Sequence, residues 1–466
     1  MTFGNIMSSF IEVHLFIIIC EVFFVLAVIH MINQKRSPTS MMAWLISMLL
    51  IPYIAVPFYF IFGSRKIKNK YSKSHVILPC ITQNEFEISN FTNMLLINNG
   101  IQPACSNNSF ELITDGVEAY CKIIDELNLA KHSIYISTYV FKDDQMTQKL
   151  ISILEKKAND GLDIKLLIDS IGSWKLYFSR RKIFSILKKR GGNIEFFMPV
   201  FQMPFRNYIN LRNHRKVYLI DQKIAFTGGM NLAEEYLGPD NSVDRWSDLL
   251  FKIKGGSVCH LYNLFAQDWE YASKCKIKHI CSTHNEYGNV ELQIVPSGPD
   301  VPSDALYESI LNSIYLAKKR IWIVTPYFIP SEALMKALII AHRKNVDVQL
   351  ITPKHSNHII ADLVRSGYMS TLYDEGIKIA FYEGEMLHAK AIIFDDEAGM
   401  LGSVNIDNRS LFLNYEVATY TYSDKVIQQV SQWMDELIAN SSYTMKPKTK
   451  LRKFGENLMK ITAPLL

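Results

Sequence analysis

The segment Ala130-Lys-His-Ser-Ile-Tyr-Ile-Ser-Thr-Tyr-Val-Phe141 returns later in the chain as Ala317-Lys-Lys-Arg-Ile-Trp-Ile-Val-Thr-Pro-Tyr-Phe328. Each copy is followed by a helical pattern (Thr147 to Asn159 in the first) and then a second apolar, strand-like run, Ile164 to Ile168 and Val346 to Thr352. A unit used twice restricts the chain to a duplicated α/β architecture, with two repeats packing about a pseudo-two-fold axis. The length of 466 residues already exceeds what one core requires, and 48% hydrophobic against 20% charged residues exclude disorder as a general description. A net charge of +5, spread over such a chain, gives no argument for a polyanion partner.

The duplication continues into polar segments. His214-Arg-Lys216-Val-Tyr-Leu-Ile-Asp221, followed by Gly228-Gly229-Met-Asn231, matches His388-Ala-Lys390-Ala-Ile-Ile-Phe-Asp395, followed by Gly402-Ser403-Val-Asn405. On a strand, residues two apart share a face, so each histidine is expected beside its lysine while Asp221 and Asp395 have the opposite parity. Anchoring of the strand end is therefore the expected role of the two aspartates. Faces that meet at one seam would gather two imidazoles, two ammoniums and two Asn amides. Such a set suits a tetrahedral, anionic phosphodiester: lysines and amides donate to nonbridging oxygens, one imidazole attacks phosphorus and the other protonates the departing alkoxide. This chemistry calls for no metal or cofactor. The polar cluster Cys275, His279, Cys281 and His284 fits no common zinc spacing. Seven cysteines without a C-x-x-C pair (Cys20, Cys80, Cys105, Cys121, Cys259, Cys275, Cys281) point to free thiols in a reducing compartment.

The apolar excess is concentrated at the amino-terminal end. Phe10 to Ile32 is broken only by Glu12, His14, Glu21 and His30, and Met41 to Phe62 carries no charge. At about 1.5 Å per residue, each run makes about 33 Å, enough for a hydrocarbon core of about 30 Å. The expectation is a transmembrane hairpin over residues 1–64, with Pro52 and Pro57 bending its second span and Glu21 near mid-span, a functional candidate that a partner in the second span or a half-inserted hairpin would explain as well. Lys35 and Arg36 lie in the turn, against Arg65, Lys66, Lys68, Lys70 and Lys73 after the second run. The larger cluster places the body, and with it the amino terminus, on the cytoplasmic side of a multi-pass protein. The remaining expected boundaries are a basic linker 65–108, a first repeat 109–286, a second repeat 287–442 and a basic tail 443–466.

These paired signatures resemble those of the phospholipase D superfamily. The segments Asn213-His-Arg-Lys-Val, Phe226-Thr-Gly-Gly-Met-Asn-Leu-Ala-Glu-Glu-Tyr-Leu-Gly238, Pro296-Ser-Gly-Pro-Asp300, the run from Asn405 through Asn408-Arg-Ser410 to Asn414 and Glu416, and Pro464-Leu-Leu are similar to those of bacterial cardiolipin synthases with two amino-terminal spans. The resemblance implies transfer of a phosphatidyl group between two phosphatidylglycerol molecules, giving cardiolipin and glycerol, at a bacterial cell membrane and without a cofactor. It implies catalytic His214, Lys216, Asp221, His388, Lys390 and Asp395, with phosphohistidine forming on His214. Asn231, Asn405, Gly229 and Ser403 would bind or support the phosphate. Asp248, 34 residues after His214, and Glu416, 28 after His388, would support the histidines as downstream carboxylates. A phospholipase D-type hydrolase, or a phosphatidyltransferase using another alcohol, would use the same residues. Nucleic acid is not an expected partner, since membrane spans would serve a nuclease poorly. Anionic membrane lipid is, through Lys175, Arg180, Arg181, Lys182, Lys188, Lys189 and Arg190, the basic residues between Lys446 and Lys460, and apolar side chains in Phe196 to Phe205.

Overall fold

The computed structural model describes residues 3–33, 38–63, 91–179, 182–200, 210–240, 244–277, 287–301, 303–445, 449, 452 and 456. Arg65 to Lys73, Arg180, Arg181, the side chain of Lys182, Phe201 to Phe205, His279, Cys281, His284 and nearly all of the tail, including its lysines and Pro464-Leu-Leu, lie outside them. The chain forms two compact units, one of Met1–Ile67 with Pro199–Leu211 and one of Lys68–Met198 with Arg212–Leu466.

In the first unit, α1 (Phe3–Ile32) contains one stretch, His14–Ile32, long and apolar enough to cross a membrane. The second apolar run of the expected hairpin is not one continuous helix. It divides into α2 (Pro38–Leu50) and α3 (Pro52–Phe62) at Ile51, whose φ of −138° and ψ of 63° are not helical. Pro52 explains the break, because its ring lacks an N–H and pushes the preceding residue out of the helical region. The helices then fold back on each other, with the Trp44 and Tyr59 rings 5.3 Å apart although fifteen positions separate them. Tyr53 stacks on Phe16 at 5.7 Å and Phe60 meets Phe23 at 6.3 Å, so α3 runs parallel to α1. At about 20 Å and 17 Å, α2 and α3 are each too short for a bilayer core of about 30 Å. A bend was expected at Pro52 and a reversal is found. Glu21 is exposed and has no hydrogen-bond or ion-pair partner among the described residues, so a partner in the second run does not explain it.

The second unit is built on one mixed sheet. The first repeat supplies β1 (Cys105–Ile113), β2 (Ser133–Thr138), β3 (Asp163–Asp169), β4 (Asn193–Phe197), β5 (Val217–Ile220), β6 (Ile224–Gly228) and β7 (Leu250–Lys254). The second supplies β8 (Val290–Ser297), β9 (Arg320–Val324), β10 (Asp347–Pro353), β11 (Lys378–Tyr382), β12 (Ala391–Phe394), β13 (Ala398–Gly402) and β14 (Glu416–Thr421), with a short β15 (Ser441–Ser442) at its edge. Their order is β4-β3-β2-β5-β6-β7-β1-β8-β14-β13-β12-β9-β10-β11-β15. Read outward from the antiparallel β1–β8 pair, the two halves repeat the same sequence of strands, as a pseudo-two-fold requires. β2 runs parallel to β3, and β3 to β4; β9 runs parallel to β10, and β10 to β11. Helices Gln145–Asn159 and Glu332–Arg343 provide the crossovers that parallel neighbours need. The first of these is fixed at its start by a capping box between Asp144 and Thr147.

Each repeat has its own apolar core, around Ile134, Ile136, Leu150, Leu166 and Phe226 in the first and Ile321, Ile323, Leu338, Leu350 and Ile392 in the second. The repeat starts a few residues before 109, at Cys105. The segment expected as linker also contains a helix, Phe91–Asn98, whose Thr92 bonds Ser313 of the second repeat. Cys20, Cys105, Cys121 and Cys275 carry free thiols, whereas Cys259 is disulfide-bonded, contrary to the expectation of free thiols throughout.

Asp221 and Asp395 stand at the far ends of β5 and β12 with φ of 52° and 54°. The Asp221 carboxylate accepts backbone N–H groups of Lys131, His132 and Ser133, and Asp395 those of Lys318, Lys319 and Arg320. Both therefore tie a strand end to the turn before β2 or β9. Listing them with the catalytic groups is corrected by this geometry, because their oxygens are committed to backbone away from the histidines.

Candidate active site

The two signature pairs lie just before β5 and β12, rather than inside them, where backbone bridges join the repeats. Asn213 pairs with Tyr415 and Ser247 with Leu387. The His214 N–H donates to the Tyr415 carbonyl at 2.8 Å, and the His388 N–H donates to the Ser247 carbonyl at 2.7 Å. Each histidine is thus set in place by the opposite repeat.

The carboxylates follow the same crossing. His214 Nδ1 lies 2.9 Å from Glu416 Oε2, and His388 Nδ1 lies 2.7 Å from Asp248 Oδ2. Both acids were expected near the histidines, each downstream of a signature in its own repeat; each serves the histidine of the other. With Nδ1–H donated to a carboxylate, the opposite nitrogen, Nε2, carries the lone pair, which in His388 faces Lys390 Nζ at 3.0 Å. Gly229 and Ser403 are support for these acids rather than a phosphate cradle. A Cβ at Gly229 would meet Asp248 Oδ1 at 2.0 Å, and the Ser403 hydroxyl donates to Glu416 Oε2. Before each of them, Gly228 and Gly402 adopt positive φ of 147° and 156°, with the backbone of residues 249–250 and 417–418 packed against them.

Lys216 Nζ donates to the His214 carbonyl at 2.9 Å. Lys390 Nζ lies 2.8 Å from His388 Nδ1 and 3.0 Å from Nε2, so the second histidine has an ammonium against its ring and the first does not. Asn231 Oδ1 accepts the Val140 N–H at 3.1 Å, whereas the buried Asn405 Oδ1 has no partner among the described residues. All of these groups are buried.

Burial sets the protonation pattern. It pushes His214 and His388 below the ordinary histidine range, and Lys216 and Lys390 reinforce this against the pull of the carboxylates. Burial alone would raise the carboxyls of Asp248 and Glu416, but the facing imidazoles and lysines hold both below their ordinary values. Burial brings Lys216 down to about 7, with Lys390 adding to the effect, and Lys390 down to about 8. Two neutral imidazoles, two ionised carboxylates and two lysines that titrate near neutrality form one electrostatic cluster. An arriving anion would raise the proton affinity of every base in it.

Sequence reasoning missed the shell around this cluster. The Tyr139 ring packs on His214 at 4.9 Å, and Tyr236 and Trp246 pack on His388 at 5.2 and 5.4 Å. Arg215, fully buried between His214 and Lys216 in sequence, donates to Asp268 at 2.6 Å, the Glu416 carbonyl at 3.1 Å and the Ser297 carbonyl at 3.1 Å. The second repeat has Ala389 in its place. Only the odd parity of Arg215 beside His214 hinted that it points elsewhere. Among the described residues no group of three or more His, Cys, Asp or Glu is arranged to hold a metal ion.

The family described as "Cardiolipin synthase, PLD-like domain" matches residues 123–269 and 310–438, one match on each repeat. The chain belongs to this family. "Phospholipase_D-nuclease N-terminal" matches residues 22–64. Among curated relatives, the cardiolipin synthase of Clostridium perfringens is 31% identical, with 93% of this chain and 95% of that protein covered. The major cardiolipin synthase of Bacillus subtilis is 30% identical, with 96% and 99% covered. A solved phosphatidylserine synthase from Haemophilus influenzae is 16% identical and superposes with a TM-score of 0.60 over 81% of this chain and 98% of its own, which establishes the shared fold. As a member of this family the chain is a membrane-associated phosphatidyltransferase, and both family matches on the body include a signature histidine and the carboxylate that serves the other one.

Proposed function

We propose that the chain joins two phosphatidylglycerol molecules into cardiolipin and glycerol. The observation that carries this reading is the crossed pair of imidazole–carboxylate couples in one buried cluster with two lysines. In the first half-reaction His214 Nε2 attacks phosphorus, the bond to the glycerol headgroup oxygen breaks, and His388 delivers the proton that the oxygen needs. In the second, His388 takes the hydroxyl proton of another phosphatidylglycerol, whose oxygen displaces His214 from phosphorus. The bound phosphodiester raises the proton affinity of His388 so that it can carry the proton, and His214 Nε2, which no lysine among the described residues engages, is left as the nucleophile. Lys216, Lys390, Asn231 and Asn405 would hold the nonbridging oxygens.

Incubation of the purified chain with phosphatidylglycerol alone tests the reading: cardiolipin with glycerol is expected, and phosphatidic acid with glycerol would make the enzyme a hydrolase. A pH series belongs to the same experiment. Lysines protonated only up to about 7 and 8 lose the charge that attracts phosphate as pH rises through that range, so kcat/KM should fall between pH 7 and 9. A flat kcat/KM to pH 9 would remove the lysines from phosphate binding.

The catalytic unit is proposed to face the cytoplasm. Because α3 returns alongside α1, the chain leaves the helical unit towards the end where α1 finishes. In sequence, Lys35 and Arg36 follow α1 and five basic residues from Arg65 to Lys73 follow α3, while residues 1–9 carry no Lys or Arg, a bias that assigns the end where α1 finishes to the cytoplasm. On this reading the start of α1 faces outward. In a background lacking Cys20, an impermeant maleimide added to intact cells should label Ser8→Cys and spare Asn33→Cys; the reverse pattern would restore a two-crossing hairpin.

A further inference from the structure

Two apolar patches in the catalytic unit are left open to solvent at equivalent places. In the first repeat Trp174, Phe178 and Ile186 follow β3, and in the second Ile359, Ile360 and Leu363 follow β10, the counterpart of β3. Ile359 is 80% exposed and Trp174 56%, well beyond what packing on the unit accounts for. The two stretches, Ser170-Ile-Gly-Ser-Trp-Lys-Leu-Tyr-Phe178 and Lys354-His-Ser-Asn-His-Ile-Ile-Ala-Asp-Leu363, share no pattern beyond this exposed apolar character. Exposed apolar groups gathered at matching positions signal a contact surface rather than scattered surface residues.

Both patches are coupled to the site. Ser173, next to Trp174, donates its hydroxyl to the Tyr139 carbonyl at 3.0 Å and accepts the Phe141 N–H at 2.8 Å, and the Tyr139 ring packs on His214. His358, next to Ile359, lies 5.8 Å from the Tyr327 ring, and Arg365 of the same helix donates to the Pro326 carbonyl. The Tyr327 phenol is close enough to Tyr236, which packs on His388, to act on its ionisation. Each patch is therefore a short relay of side chains from one of the two histidines.

Charge decides what covers the first patch, and the second, with Lys354 before it and Asp362 within it, is assigned by its equivalent place in the fold. Lys175, Lys188, Lys189 and Arg190 are exposed beside Trp174, Phe178 and Ile186, and no acidic residue occurs between Ser170 and Arg190. Aromatic and aliphatic side chains interspersed with lysines and arginines suit the headgroup–acyl boundary of an anionic leaflet. We propose that the two patches dock the catalytic unit on an anionic phospholipid bilayer, one on each side of the site, so that the acyl chains of the substrate stay in the leaflet while its headgroup reaches the histidines. The inference rests on the reading of the substrate as phosphatidylglycerol.

The test compares the full chain with its Trp174→Ser/Phe178→Ser and Ile359→Ser/Ile360→Ser variants on two substrates: phosphatidylglycerol in bilayer nanodiscs and a short-chain, monomeric phosphatidylglycerol. Each double variant should raise KM for the bilayer substrate by about tenfold or more and leave turnover of the monomeric one unchanged. Unchanged KM on nanodiscs, or equal losses on both substrates, would overturn the docking surface. If the unaltered chain turns over neither substrate, the functional reading itself fails. An independent measurement uses the unaltered chain with brominated lipids in the nanodisc. Part of its fluorescence should be quenched, some of it from Trp44 of α2, and Trp174→Phe should reduce the quenched part; quenching identical in Trp174→Phe would also overturn the proposal.

Discussion

His214→Ala and His388→Ala should each lower cardiolipin formation by at least about 10⁴-fold, roughly 5 kcal/mol of barrier, with folding and membrane attachment retained. The size follows from the division of roles. Without His214 no nitrogen is available to take the phosphatidyl group, and a buried Glu416 is left facing no imidazole. Without His388 the glycerol alkoxide must leave unprotonated and the second alcohol must attack undeprotonated, so both half-reactions suffer. Cardiolipin yield from reconstituted enzyme is the measurement, with circular dichroism to verify folding. Substantial synthesis by either variant would sink the two-histidine mechanism.

Asp248→Asn and Glu416→Gln should each cost about 10²- to 10⁴-fold, because an amide can hold the imidazole in the wrong tautomer and offers no counter-charge to imidazolium. The more telling result is how they group. A phosphatidyl ester of p-nitrophenol releases a stable phenolate that needs no acid, so the burst of one phenolate per enzyme should survive in His388→Ala. Asp248 serves His388, hence Asp248→Asn should keep the burst as well, whereas His214→Ala and Glu416→Gln should lose it. A burst lost in Asp248→Asn and kept in Glu416→Gln would mean that each acid serves the histidine of its own repeat.

The parts of this site that sequence made legible are those written within one repeat. The duplicated His-x-Lys segments, the two Asn residues and the outward parity of Asp221 and Asp395 needed only local spacing. Asp248 and Glu416 were found as residues but assigned across the wrong distance, because the crossing depends on the Asn213–Tyr415 and Ser247–Leu387 bridges between segments more than a hundred positions apart. Strand periodicity is silent about such pairings. Arg215 carried no role in the sequence beyond its parity, and its burial against Asp268 became visible only in the fold. The second apolar run hid its division for another reason. Its 22 uncharged residues satisfy every length and hydropathy condition for a crossing, and only the ring contacts of Trp44, Tyr53 and Tyr59 reveal that Pro52 reverses the chain.

Since each imidazole takes its carboxylate from the other half, a single repeat would carry a histidine with nothing to orient it. An ancestral chain of one repeat could have worked only as a two-fold dimer, with the β1–β8 seam as the subunit contact before fusion. Fusion released the halves from strict symmetry without releasing them from each other. A shorter acid now lies against a residue without a side chain, Asp248 on Gly229, and a longer one takes a hydroxyl, Glu416 on Ser403. Such paired departures from symmetry are the route by which one histidine could become a nucleophile and the other a proton carrier.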